Sequence, residues 1–182
     1  QLKLSVSETR AIHDATEGWV TGLQIAAIAL RGRASPSMLI SSFSGNLKAV
    51  SEYLADNVLP QVPVEMLDFM LRTSILDRLS GDLCDHVAGV TGGRENIESL
   101  AAQNMFLQGL DDEGRWYRYH ALFADFLRAQ LETRFPAELP VLHLRAAEWF
   151  AAHELWPEAV KHALSANRID LAFVAESGGE PT

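Results

Sequence analysis

The stretch RWYRYHALFADFL, residues 115–127, joins two different periodic patterns. Its first five residues are rich in aromatic side chains, which favour β-strands. From Leu122 onwards apolar residues recur at helical spacing, and this pattern predicts a long amphipathic helix that ends before Pro136. His120 stands at the junction between the predicted strand and the predicted helix.

A second strand pattern, residues 106–110, lies just before this stretch. The four residues between the two patterns are typical of a turn, and Gly114 can adopt the positive φ that such turns require. We therefore predict a β-hairpin with strands at 106–110 and 115–119. No other part of the sequence carries a clear β pattern, so we expect a mainly α-helical protein with one short hairpin.

Three helix patterns precede the hairpin. The first begins at Pro63, where the missing N–H of proline costs nothing, and the second follows Ser80, a good N-cap residue. The third follows a loop predicted at Gly92-Gly93. Three short helices followed by a hairpin are the order of a winged helix, which we predict as a domain over residues 61–135.

Further helices are predicted on both sides of this domain. Residues 1–60 carry apolar side chains at helical spacing and predict a separate helical domain. The last domain, residues 136–182, has helix patterns at 142–153 and 157–166 and the start of a third at 169–176. The first two of these helices carry small residues at a spacing that resembles the first unit of a tetratricopeptide-like superhelix. A single unit would need the later repeats to cover its apolar face.

Composition and charge exclude several classes of function. Of the 182 residues, 48% are hydrophobic and 21% charged, as in ordinary soluble globular domains. The formal net charge of −9 argues against a dedicated nucleic-acid surface, because phosphate binding needs clustered lysine and arginine. Cys84 is the single cysteine, so we expect a reducing, cytoplasmic location and a buried, inert thiol.

Neither a membrane span nor a targeting signal is predicted. The longest apolar stretch, residues 19–30, is too short to cross a bilayer and is typical of a buried helix. The chain begins with Gln1 and ends in a small, polar run at 177–182, which leads us to expect a piece of a longer protein.

No set of residues predicts catalysis or metal binding. The Walker A pattern GxxxxGK[ST], which cradles phosphates in many ATPases, does not occur in the sequence. The histidines fit no metal-ligand spacing, and no Ser–His–Asp or Cys–His arrangement follows from position. We therefore expect a chain that is not an enzyme on its own and that holds no cofactor or metal by itself.

The predicted winged helix invites a DNA-binding interpretation through its third helix, expected over residues 94–104. That helix carries Glu95 and Glu98 against a single arginine, so its face would repel phosphate. On the wing, Arg115 and Arg118 are offset by the three acidic residues of the preceding turn. DNA binding by this module is therefore the least favoured interpretation.

Four segments carry a resemblance to a known family, and they cover most of the chain. They are TEGWVTGLQIAAIALRG (16–32), FMLRTSILDRLSGDLCDHVAG (69–89), DDEGRWYRYHALFADFLRAQL (111–131) and RAAEWFAAHELWPEAVKHAL (145–164). Together and in this order they resemble the MalT-like, ATP-dependent regulators of the LuxR class, which are signal-transduction ATPases related to the NB-ARC switch proteins. Such proteins carry a nucleotide-binding domain, a helical domain, a winged helix, a superhelical sensor and a C-terminal helix-turn-helix, in that order.

The resemblance implies roles for three residues. His120 matches the histidine of an MHD-like motif that touches the β-phosphate of bound ADP, although Ala121 replaces the acidic residue of that motif. The alternative is a histidine that caps the following helix or packs against Tyr119. Trp19 and Val20 match a turn on the adenine side, with valine in place of the family's proline, and ordinary core packing is the alternative there.

As a whole, the sequence predicts a regulatory switch module. The resemblance implies that the module packs against a nucleotide-binding domain that holds ATP or ADP and that it begins an inducer-sensing superhelix. It also implies self-association of the open form and DNA binding by a separate helix-turn-helix. Two alternatives stay open: a helical protein-interaction adaptor with no nucleotide link, and a winged-helix module that binds DNA itself.

Overall fold

The computed structural model describes residues 6, 7, 10 and 13, and residues 54–56, 58–102 and 106–167. Nearly all of the helical domain predicted over residues 1–60 therefore lies outside the described residues, and so do Trp19 and Val20. The helix predicted at 169–176 also lies outside them. The domain boundaries predicted at 60 and 135 stay predictions.

The described part of the chain is helical apart from one small antiparallel sheet. A short 3₁₀ turn at Leu59–Gln61 leads into the first helix. In chain order the elements are α1 (Val64–Thr73), α2 (Gly81–Ala88), α3 (Gly93–Ala102), β1 (Leu107–Gly109), β2 (Tyr117–Tyr119), α4 (Ala121–Arg134), α5 (Leu139–Ala152) and α6 (Trp156–Ser165). The predicted mainly α-helical fold with one short hairpin is confirmed.

The first two helices begin within one residue of where the local sequence predicts. Pro63 is the N-cap residue of α1, and Ser80 is the N-cap residue of α2. The Ser80 hydroxyl does not bond to the helix backbone; it donates to Oδ1 of Asp82 at 2.7 Å. The helix α2 ends at Gly89, whose φ of +69° is a left-handed conformation that glycine adopts without strain.

The third helix begins at Gly93, so the prediction that Gly92-Gly93 is wholly loop was wrong. The Gly93 N–H donates to Oδ1 of Asp85 at 2.8 Å and so starts the helix. A Cβ added at position 93 would lie 2.6 Å from the carbonyl oxygen of Gly81. The start of α3 can therefore lie this close to the start of α2 because position 93 has no side chain.

The hairpin pairs β1 with β2 antiparallel, with Leu107 opposite Tyr119. Its strands are shorter than predicted, because Oδ1 of Asp111 accepts the backbone N–H of Arg115 at 2.9 Å and keeps that residue in the turn. Gly114 has a φ of +63°, which confirms its predicted role in the turn.

A third stretch of chain joins the sheet through a single residue. Leu79, between α1 and α2, donates its N–H to the Tyr117 carbonyl at 2.7 Å, and its carbonyl accepts the Tyr117 N–H at 3.0 Å. A single paired residue has no alternating pattern, so sequence periodicity does not predict it. The bridge ties the wing to the helical part of the domain.

Buried polar groups tie the end of α1 to β2. The hydroxyl of Thr73 donates to the Phe69 carbonyl at 2.8 Å, which leaves the Tyr119 hydroxyl to donate to Thr73 Oγ1, also at 2.8 Å. Both side chains are buried, and burial raises the pKa of the Tyr119 phenol, so the phenol keeps the proton it donates. From α4, Arg128 adds a bond from Nε to the Ser74 carbonyl at 2.9 Å.

One hydrophobic core runs from the predicted winged helix into α5. Phe123 and Phe126 of α4 and Phe150 of α5 are at most 1% exposed and belong to the same cluster. Cys84 also lies in this core, as predicted, and burial raises the pKa of its thiol. The helix α5 is therefore part of the folded unit that contains the wing.

The helices α5 and α6 pack against each other. Three small residues are buried in this pair and let the two helices lie close together: Ala147, Ala159 and Ala163. His143 and His162 face each other with their Nδ1 atoms 2.8 Å apart, so one ring donates a hydrogen bond to the other. The His162 ring, which is 2% exposed, also stacks on Phe150 with ring centroids 5.5 Å apart.

We predict that Tyr119→Phe lowers the free energy of unfolding by about 1 kcal/mol, because it removes the hydroxyl that donates to Thr73 Oγ1, while Thr73 keeps its own bond to the Phe69 carbonyl. Urea denaturation followed by circular dichroism measures this change. Tyr117→Phe, at a half-buried position in the same strand, is the matched control. An equal effect of the two substitutions would contradict the role assigned to the Tyr119 hydroxyl.

Stability should also depend on the His143–His162 pair. Burial and the nearby His143 and Lys161 lower the pKa of His162 from 6.5 to about 4, with Asp77 acting in the opposite direction. Burial also lowers the pKa of His143. Between pH 6.5 and pH 4, His162 is therefore mostly protonated in the unfolded chain and mostly neutral in the folded chain. The free energy of unfolding consequently decreases as the pH falls from 6.5 towards 4.

The expected loss in the free energy of unfolding between pH 7 and pH 5 is about 1 to 2 kcal/mol from this source. Replacement of His162 by Gln should flatten this dependence, whereas His86→Gln, at an exposed position on α2, should leave it intact. Urea titrations at the two pH values measure both slopes. A His162→Gln variant with the slope of the unsubstituted chain would show that the pair does not control it.

Candidate functional site

His120 lies at the N-terminus of α4, directly after β2. Its backbone N–H donates to the Phe106 carbonyl at 3.1 Å, and its carbonyl accepts the N–H groups of Phe123 and Ala124, both at 2.9 Å. The residue is half-buried. The wing and the helix thus fix the backbone of His120 from both sides.

The side chain of His120 makes no capping hydrogen bond to α4, so the capping alternative raised by the sequence is not what the structure shows. The neighbouring residue Tyr119 is held in the core by Thr73. The N-terminus of a helix carries a partial positive charge and exposed N–H groups, which suits a phosphate. Ala121, the first residue of α4, is exposed and brings no negative charge to this end of the helix.

The face that a DNA-binding winged helix would use carries paired charges. On α3, Arg94 Nε lies 2.8 Å from Oε1 of Glu98. On the wing, Arg115 lies 2.5 Å from a carboxylate oxygen of Glu113, and Arg118 donates to the side-chain carbonyl of Gln108 at 3.0 Å. Neighbouring side chains therefore already use the guanidinium groups that would have to meet phosphates.

A contact between the wing and the last two helices is the most distinctive polar feature of the described structure. Arg78, in the connection between α1 and α2, lies with its guanidinium carbon 4.6 Å from the ring centre of Trp116 on the wing. Its Nη2 lies 2.6 Å from Oε1 of Glu158 on α6. Trp116 in turn meets Trp149 of α5 edge to face, with centroids 6.4 Å apart. We call Arg78, Trp116, Trp149 and Glu158 the joint.

Further contacts reinforce the joint from both sides. Lys161 of α6 pairs with Asp77, the neighbour of Arg78 in the chain. Arg145 of α5 donates from Nη1 to the Val87 carbonyl at 3.2 Å, near the end of α2. A cation at the C-terminus of a helix is favourable because the helix dipole is negative there. The pair α5–α6 is therefore attached to the helical part of the domain as well as to the wing.

Sequence reasoning did not find the joint. Arg78 and Glu158 are 80 residues apart in the chain, and the sequence around each of them gives no sign that they pair. The one local feature that points to the joint is that the tryptophans lie within the segments that carry the family resemblance. Of the sequence-predicted site residues, the described structure places His120 alone.

A family model agrees with this architecture. Residues 55–139 match the model described as "MalT winged helix domain". This segment is a winged-helix domain of the MalT family. Its matched range extends from the turn before α1 to the first residue of α5. The predicted winged helix and the predicted resemblance to MalT-like regulators are both confirmed.

Relatives of two kinds match beyond the MalT winged helix. The chain is 37% identical over 165 residues to the serine/threonine-protein kinase PknK of Mycobacterium tuberculosis. The matched stretch covers 91% of this chain and 15% of that protein. It is 35% identical over 165 residues to the HTH-type transcriptional regulator MalT of Klebsiella pneumoniae, covering 90% of this chain and 18% of the regulator. The MalT of Serratia proteamaculans is 36% identical over 160 residues, with 87% and 18% coverage.

The chain therefore spans less than a fifth of the length of these relatives. The matches cover 87% to 91% of this chain, so they extend beyond residues 55–139. Within the described ranges, none of the helices is long and apolar enough to cross a membrane. The same residues contain no group of three or more His, Cys, Asp or Glu side chains placed to hold a metal ion.

We predict a measurable coupling energy between Arg78 and Glu158. Their side chains are 31% and 32% exposed, so their attraction is less screened than that of a surface pair. A double-mutant cycle with Arg78→Ala and Glu158→Ala should give about 1 kcal/mol in the free energy of unfolding.

The control is the pair Arg94–Glu98 within α3, whose side chains are 66% and 54% exposed. Its cycle should give only a few tenths of a kcal/mol, about the value of an exposed helical pair. Equal coupling energies for the two pairs would show that the joint is an ordinary surface ion pair.

Proposed function

We propose that this chain is a regulatory switch module that couples the nucleotide state of one neighbouring domain to a sensor superhelix that continues from α6. The observation that carries this proposal is the joint. It attaches the first helices after the MalT winged helix to the wing itself through Arg78, Trp116, Trp149 and Glu158. A displacement of α5–α6 would therefore act on the wing directly.

The two kinds of relatives support a role in coupling rather than in output. One is named as a serine/threonine-protein kinase and the other as an HTH-type transcriptional regulator. Phosphorylation and DNA binding are different outputs, yet both proteins share this segment at more than a third identity. What the segment contributes should then be common to both, such as control by a signal. This reasoning favours a role upstream of the output.

His120 is the residue we propose as the link to the nucleotide. It lies at a helix N-terminus and is held by β2 and α4, which belong to the same core as α5. A domain that binds ATP or ADP would place the β-phosphate near His120 in the resting state. The MalT winged helix would thereby hold the nucleotide domain closed, and ligand binding at the sensor would release it if the ligand prefers the open form.

Several further parts of the proposal follow from this role. The chain would not be an enzyme by itself, and ATP or ADP would be bound by the neighbouring nucleotide domain, with Trp19 and Val20 on the adenine side. DNA would be contacted by a separate helix-turn-helix of the LuxR class, in line with the paired arginines of α3 and the wing. The open form would self-associate, and the protein would work in the cytoplasm.

We predict that His120→Ala weakens ADP retention by the full-length polypeptide about tenfold, since one hydrogen bond to a charged phosphate would be lost. The dissociation rate of a fluorescent ADP analogue after gel filtration measures the change. His86→Ala, at an exposed position on α2, is the matched control and should retain ADP normally. Unchanged retention by the His120→Ala protein would remove this residue from the switch.

A further inference from the structure

A cleft of about 510 Å³ opens on the side of the domain where the wing meets α5. Its walls come from the starts of α2 and α3, the base of the wing and the last turns of α5. Its volume lies in the range of about 300–1,000 Å³ that is common for ligand sites in proteins. His120 does not line it, so the cleft is separate from the proposed nucleotide contact.

Two carboxylates on α2 line one wall of this cleft, and neither has a cation beside it. Asp82 accepts a hydrogen bond from the Ser80 hydroxyl, and Asp85 accepts one from the backbone N–H of Gly93. Both donors are neutral. Within the described residues, neither aspartate lies within ion-pair distance of an arginine or lysine.

The two arginines that line the cleft do not compensate these charges. Arg94 is paired with Glu98 at 2.8 Å, and Arg115 is paired with Glu113 at 2.5 Å. Each guanidinium is thus balanced by a carboxylate of its own helix or turn. Asp82 and Asp85 are therefore the charges lining the cleft that have no charged partner among the described residues, which favours a cationic occupant over a nucleic-acid phosphate.

Aromatic rings complete the cleft. Trp116, Trp149 and His153 line it, and the rings of Trp149 and His153 stack with centroids 3.7 Å apart. Indole rings attract cations, and a guanidinium already occupies one such position, since Arg78 lies 4.6 Å from the centre of the Trp116 ring. Rings next to uncompensated carboxylates suit a flat cation with an apolar stem.

We propose that this cleft binds an arginine side chain presented by a protein segment, with the guanidinium at Asp82 and Asp85 and the methylene groups along the aromatic rings. Arginine fits better than lysine because its planar, weakly hydrated head can bond two acceptors and lie against rings at the same time. A peptide segment fits better than free arginine, because the free amino acid would bring two further charged groups, an α-ammonium and an α-carboxylate, that lose hydration on binding without a partner of their own.

The proposal is tested by NMR titration of the 182-residue chain with a blocked Gly-Gly-Arg-Gly-Gly peptide. Saturable shifts of the indole N–H signals of Trp116 and Trp149 are expected. The same peptide with citrulline, which is neutral but nearly isosteric, should cause no saturable shift. Free L-arginine should bind more weakly than the blocked peptide.

Two variants give the matched comparison. Asp82→Asn keeps an acceptor for Ser80 but removes the charge, and it should weaken peptide binding about fivefold, the fold-change of one partly exposed ion pair. Asp125→Asn removes the same charge from an exposed position of α4 outside the cleft and should bind like the unsubstituted chain.

Three results would overturn the proposal. Equal shifts with the citrulline peptide would show that charge is not recognised. Equal weakening by Asp82→Asn and Asp125→Asn would show general attraction to an acidic chain. Tighter binding of free L-arginine than of the peptide would assign the cleft to a small molecule.

Discussion

The placement of one guanidinium group determines how the described part of this chain is assembled. Arg78 lies between an indole of the wing and a carboxylate of α6, and each contact depends on the other because both use the same planar group. Apolar burial alone would join α5 to the winged helix, since the two share a core. Apolar burial has no preferred orientation, whereas the contacts of Arg78 with Trp116 and Glu158 do, so they help to set the position of α6 relative to the wing.

Hydrogen bonds also attach the wing to the connection between α1 and α2. The two backbone bonds between Leu79 and Tyr117 and the buried hydroxyl pair of Thr73 and Tyr119 attach β2 to both ends of the α1–α2 connection. Because Arg78 and Leu79 are neighbours, the same short segment carries the strand bridge and the joint. His120 follows β2 directly, so its position is linked to α5 and α6 through a few contacts. This is the physical basis for treating the chain as a coupling element.

Local sequence predicted what depends on local physics. The N-cap position of Ser80, the turn at Gly114 and the helix period after Leu122 are short-range signals, and the structure confirms them. Pro63 was predicted to be the first residue of its helix, and it lies one residue before it. The start of α5 was placed three residues late at 142, because Pro140 was not recognised as a first-turn residue of that helix. The Leu79 bridge and the joint depend on residues 38 and 80 positions apart, for which one sequence carries no pattern. The charged cleft could not be predicted either, because residues between 80 and 153 line it together.

The shared core and the joint should make the winged helix and α5–α6 unfold as one cooperative unit. Native-state hydrogen exchange of the 182-residue chain, followed by NMR at increasing urea, tests it most directly. The amides of Met70 in α1 and Ala163 in α6 should converge on the same opening free energy, since one unfolding event exposes both. Exchange of Ala163 through an opening of much smaller free energy that leaves Met70 protected would show that α6 moves independently of the wing, and the two parts would then not form one unit.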